Sequence, residues 1–169
     1  MQSIQAPRDV KAYLQRLRPA LANAMKVRRP FVQQVGLLVE DLRRGDLITI
    51  SRTAVSLGLE TAPVFRELRL RFETLVPPPE CRVCNDAIIR WIDAHIAASG
   101  LLSEIGSRRE PRRLREVQER LAEARAHARR FNEECTRLKT ELRGQVEAAR
   151  TRRVPRRRGG LLGWLRPGG

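Results

Sequence analysis

Three cysteines are the residues whose type and spacing could carry chemistry. Cys81-Arg82-Val83-Cys84 has the form of a redox or zinc half-site, and Cys135 stands alone further on. A zinc site needs about four ligands in tetrahedral array, so Cys81, Cys84 and Cys135 are one ligand short. His127 stands two helical turns from Cys135, about 12 Å, which is too far to share a metal. A thioredoxin-type role needs a strand-helix-strand setting that this sequence lacks. Three readings remain. The thiols are small core residues, a Cys81–Cys135 disulfide or redox switch, or weak metal candidates; no bound cofactor is expected.

The other chemical groups are sparse. Di-iron chemistry in a helical bundle needs inward glutamates and Glu-x-x-His pairs. Glu119, Glu123 and His127 come nearest, but Glu123 and His127 are four apart and no second Glu-His pair exists. His95 falls on an apolar stripe and reads as a core histidine. Asp86 and Asp93 are isolated carboxylates. No nucleophile elbow, phosphate loop or dinucleotide fingerprint is present. The chain is expected not to be an enzyme and to have no catalytic residue.

The elements that would position these groups are helices. Arg43-Arg44-Gly45-Asp46 ends one helix and caps the next. Pro77-Pro78-Pro79-Glu80 stops a second. Gly106-Ser107-Arg108-Arg109-Glu110 places Ser and Glu at capping-box spacing. Four apolar stripes lie between these turns. The first is Val10, Leu14, Leu17, Leu21, Ala24, Phe31, Val35, Leu38 and Leu42, with Arg28 within it. The second is Ile50, Ala54, Leu57, Val64, Leu68, Phe72 and Leu75. The third is Cys81, Cys84, Ile88, Trp91, His95, Ala98, Leu102 and Ile105. The fourth is Leu114, Val117, Leu121, Ala124, Ala128, Phe131, Cys135, Leu138 and Leu142.

All four are apolar at helical period, the fourth with a 3–4 spacing that never breaks, and no alternating strand pattern competes. The expected fold is all-α, an antiparallel up-down four-helix bundle over residues 1–152 with long, proline-kinked helices. The rival is a helical hairpin that completes its core as a homodimer. Pro19 and Pro30 interrupt the first stripe, and Gly58 with Pro63 predicts a kink or break in the second. A turn centred near 108 sets Cys81 opposite Cys135. On the fourth helix, about 65 Å long if it runs from 108 to 152, pairs such as Glu116–Arg120 and Glu133–Arg137 read as a solvated mixed-charge face.

Charge is the second signal. The 169 residues carry 34 Lys+Arg against 19 Asp+Glu, a net charge of +15. Only three of the 34 are Lys, at 11, 26 and 139. An Arg excess also arises from GC-rich coding, so the total does not by itself argue for nucleic acid. The distribution says more, because residues 150–169 hold seven Arg and no acid. Aromatic content of 4% argues against a stacking platform for single-stranded nucleic acid. No apolar leader and no transmembrane stretch is read, and three cysteines fit a reducing compartment. The expected location is cytoplasmic, with peripheral contact at the inner membrane surface as an extension.

Residues 153–169 read as a flexible tail rich in Arg, Gly and Pro with an apolar Leu/Trp patch. Arg153, Arg156, Arg157 and Arg158 supply anionic attraction, and Leu161, Leu162, Trp164 and Leu165, with Arg166 after them, supply an apolar anchor. The expected role is that of an interaction or adaptor protein docking on a protein partner through this tail. The alternatives are an anionic membrane surface and nucleic acid held by the Arg block. Leu162-Gly163-Trp164-Leu165-Arg166 also resembles the C-terminal cargo-loading peptides of encapsulin nanocompartments: an aliphatic residue, Gly, any residue, Leu, then a cation. That resemblance implies a cargo protein docked on the inner wall of a shell. It covers five residues, and Trp164 stands where a small residue is usual.

Overall fold

The computed structural model describes residues 5–153, and every regular element among them is helical. Helix α1 spans Gln5–Arg44, α2 Leu47–Glu73, α3 Arg82–Ser107 and α4 Leu114–Arg153. Short 3-10 turns at Pro79–Cys81 and Pro111–Arg113 precede α3 and α4. The first turn forms as its chemistry dictates. Gly45 takes a φ of 89°, and Asp46 caps α2 by accepting from the Thr49 N–H at 3.0 Å.

The prolines do not split their helices. Pro19 and Pro30 lie within α1 and Pro63 within α2, and all three are exposed. Each removes one N–H and so leaves the carbonyl four residues earlier without its helical donor, on Gln15, Lys26 and Leu59, residues that are themselves exposed. Gly58 also breaks nothing. It is a buried position of α2, and a Cβ there would come within 2.5 Å of the Ser103 N and 2.6 Å of the Ser99 O on α3. Gly106 on α3 is its counterpart, where a Cβ would come within 2.5 Å of Val55 Cγ2 and 2.6 Å of the Val55 N on α2. The two helices approach closely because each offers a glycine to the other's backbone.

Helix α3 is the centre of the packing, with α2 on one side and α4 on the other, while α1 lies chiefly on α2. Paired positions climb α2 as they descend α3. Gly58 meets Ser103, the Thr61 hydroxyl lies 3.0 Å from the Ser99 hydroxyl, and Arg69 Nε donates to Asp93 at 2.6 Å. The buried stripe of α2 is Ile50, Ala54, Leu57, Phe65, Leu68 and Phe72. It runs through Thr61 and Phe65, whereas Val64 is 38% exposed. On α1, Tyr13 rather than Leu14 is the fully buried residue. The stripes of α3 and α4 are buried as their spacing predicts, with Ala128, Cys135 and Leu142 half-buried.

The corner between α3 and α4 departs from the capping-box expectation. Ser107 belongs to α3, Arg109 takes a φ of 56°, and no side chain caps the 3-10 turn. Arg113 closes the corner instead. It forms a two-toothed pair with Glu116 at 2.7 and 2.9 Å and reaches Glu104 at 3.1 Å and Glu110 at 2.8 Å. That fork takes Glu116 away from Arg120, which pairs with Glu123 at 3.1 Å. Arg137 likewise pairs with Glu134 at 2.9 Å and Glu141 at 2.6 Å, not with Glu133.

Candidate functional site

The thiols converge where the start of α3 meets the outer half of α4. Cys84 Sγ lies 3.3 Å from Cys135 Sγ, and all three cysteines are free. The contact is therefore Cys84–Cys135, not Cys81–Cys135. The extra 3-10 turn moves the centre of the α3–α4 reversal past 108, which shifts the register by about one helical turn. Cys81 and Cys84 are buried, and Cys135 is half-buried at the seam.

Helix α1 covers this corner. The Tyr13 hydroxyl donates to Asn85 Oδ1 at 2.9 Å, one residue from Cys84. Burial, with the three thiols next in effect, pushes the Tyr13 phenol well above its ordinary range. Burial and the neighbouring Glu80 push Cys81 up to about 11. Within the close pair, the Cys84 S–H facing Cys135 raises Cys84 and lowers Cys135, and Lys139 also favours the Cys135 thiolate. Sequence reasoning misses Tyr13 and Asn85. Tyr13 is the chain's one tyrosine, but a 3–4 stripe fits position 13 or 14 equally well. Among the described residues, no three His, Cys, Asp or Glu side chains converge in a way that could hold a metal ion.

The histidines stand apart from the thiols. His95 is fully buried between Trp91, Phe65 and Phe31, with ring centroids at 4.7, 5.0 and 6.1 Å. Its Nδ1 lies 2.7 Å from the Trp91 carbonyl oxygen, which can only accept, so Nδ1 carries the proton. Nε2 has no partner among the described residues. Burial first, and then the Arg28 charge, pull its pKa down to about 4. The ring is neutral and packed as an aromatic. His127 is half-buried on α4, with Nε2 at 3.8 Å from Glu123 Oε1. It borders a cleft with Asp86 and Arg90 of α3 and Arg130 of α4.

The second feature is the outer end of α4. Leu138 is its last fully buried residue and Leu142 is half-buried. Every residue from Arg143 to Ala149 is exposed, while the helix continues to Arg153. No described helix is long and apolar enough to cross a membrane. Arg153 ends α4, and Arg156, Arg157, Arg158, Leu161, Leu162, Trp164, Leu165 and Arg166 lie outside the described residues. No family model, no curated protein and no solved structure matches the chain.

Proposed function

We propose that the chain is a non-enzymatic interaction or adaptor protein: an antiparallel up-down four-helix bundle that presents its C-terminal segment to a protein partner. The observation that supports this most is the outer end of α4. It runs past the packed body with all its side chains exposed from Arg143 to Ala149, and residues 143–153 span about 16 Å at the helical rise. A helix that continues without a core to bury serves as a stem for the segment beyond it. That segment carries an Arg cluster beside a Leu-Trp-Leu patch, and Trp and Arg are the common anchors of desolvated interface pockets, with acids on the partner matching the Arg charge.

Capture from native lysate tests this. Full-length protein is compared with a 1–152 truncation and with Trp164→Ala, alongside nuclease-treated and membrane-depleted samples. Docking on a protein predicts that one partner is retained through both treatments and lost in both variants. Binding that ignores Trp164 and collapses steeply with salt would instead assign nucleic acid. Binding that disappears on membrane depletion and needs both Arg and Trp would assign an anionic lipid surface. Partners indifferent to the truncation would place the function on the helical body.

A further inference from the structure

The close thiol pair goes beyond the tail-docking role. We propose that Cys84 and Cys135 form an oxidation site for a small hydroperoxide such as hydrogen peroxide, with Cys135 the attacking thiol, Cys84 the resolving thiol and Cys81 the bystander. The sulfurs already lie 3.3 Å apart on two different helices, and a disulfide requires about 2.05 Å. The gap left to close is little more than 1 Å, between side chains of two helices already packed on each other.

The two thiols differ in access. Cys84 is 1% exposed, while Cys135 is half-buried at the seam between α3 and α4, so a small oxidant meets Cys135 first. The Cys84 S–H favours the Cys135 thiolate against the opposing effect of partial burial, and Lys139, one turn along α4, adds to that pull. Cys81 is fully buried, and that burial, with the Glu80 charge second, holds it in the thiol form.

Atoms and electrons balance at each step. The Cys135 thiolate, its proton lost to water, attacks one peroxide oxygen. The O–O bond breaks, leaving a sulfenic acid on Cys135 and hydroxide, which recovers a proton as water. The Cys84 sulfur then attacks the Cys135 sulfur. The S–S bond forms, the S–O bond breaks, and the oxygen leaves as water with the Cys84 proton. Two thiols are oxidised, one peroxide is reduced and two waters form. The new bond ties the start of α3 to the root of the exposed stem, one turn before Leu138.

The test uses the full-length reduced protein and one equivalent of hydrogen peroxide. The expected result is loss of two of the three titratable thiols, a mass decrease of two hydrogens, and a proteolytic map linking the Cys84 and Cys135 peptides within one chain. Cys81→Ala behaves as the parent. Cys84→Ala stops at a sulfenic acid on Cys135 that a dimedone probe captures. Cys135→Ala reacts at least about tenfold more slowly. The oxidised parent melts several degrees higher than the reduced form. The proposal is overturned if the linkage includes Cys81, if it joins two chains, or if all three thiols survive excess peroxide in the folded protein while reacting in urea. The proteolytic map of the unmutated chain decides the matter even if a variant folds poorly.

Discussion

Along the α2–α3 seam, glycine stands where a neighbouring backbone leaves no room for another atom. On the outer part of α4, glycine stands in open space. A Cβ on Gly58 or Gly106 would collide with the facing helix, whereas one on Gly144 would meet nothing within 4 Å. Charges divide in the same way. Arg69 pairs with Glu73 on its own helix and also crosses from α2 to Asp93 on α3, while Arg137 finds both its acids on its own helix, at Glu134 and Glu141. The same residue types therefore do opposite work in the two regions. In the seam they fix where one helix sits on another. On the outer half of α4 they serve one helix alone, each pair contributing only about 0.3–0.5 kcal/mol.

The sharpest way to break the comparison is to fill the seam. Gly58→Val forces a branched side chain against the backbone of Ser99 and Ser103 and should destabilise the protein by about 2–3 kcal/mol, read from urea unfolding. A loss under about 1 kcal/mol would mean that the helices can slide apart at no cost. The next test sets the root of α4 against its stem. Leu138→Ala should cost about 2–3 kcal/mol because it opens a cavity in the core. Val146→Ala, at a residue already 48% exposed, should change stability by less than about 0.5 kcal/mol. Equal losses at both positions would show that something covers the stem.

Acid probes the packed side of the same contrast. An unfolded histidine titrates near 6.5, but folded His95 titrates at about 4. Between these values the unfolded chain binds the extra proton. Stability is therefore full above pH 6.5 and falls as the pH drops toward 4, by up to about 3 kcal/mol. His95→Leu should flatten that part of the stability profile, and an unchanged slope would place the acid sensitivity elsewhere. The smallest expected effect is a gain. Gly144→Ala replaces a glycine in an exposed helix interior and should add about 0.5–1 kcal/mol, seen as a higher unfolding midpoint. A loss there would show that Gly144 meets a surface that the isolated chain does not contain.

Much of the fold is legible in the residues because a 3–4 spacing of apolar side chains specifies both the helix and its buried face. The stripes of α3 and α4 match the buried faces nearly residue by residue. The errors share one cause: local pattern does not say what stands opposite. Val64 and Phe65 both continue a helical stripe, and only the neighbours of α2 select Phe65. Gly58 has the chemistry of a break until a second backbone is found against it. Pro19, Pro30 and Pro63 signal interruption, yet each sits on the exposed side of a helix that continues through it. Residue type alone marks the thiols as the chemical cluster, but their pairing hangs on a few residues of turn. Ser107 stays in α3 and a 3-10 turn intervenes, so the partner of Cys135 becomes Cys84.

The exposure of the prolines in α1 has a mechanical consequence. Pro19 and Pro30 stand eleven positions apart in one unbroken helix, three turns with about 20° left over. They thus lie on a single stripe along its outer side. Any bending at the first falls in nearly the same plane as bending at the second, so the two deflections add instead of forming a zigzag. Long helices tend to curve with their convex side toward solvent, where stretched or missing hydrogen bonds are hydrated. Two gaps on that side make α1 a bow that yields easily in one direction and resists in the others. It can thus keep its inner face in register with the body over forty residues without the rigidity that would lift one end whenever the other is pressed down.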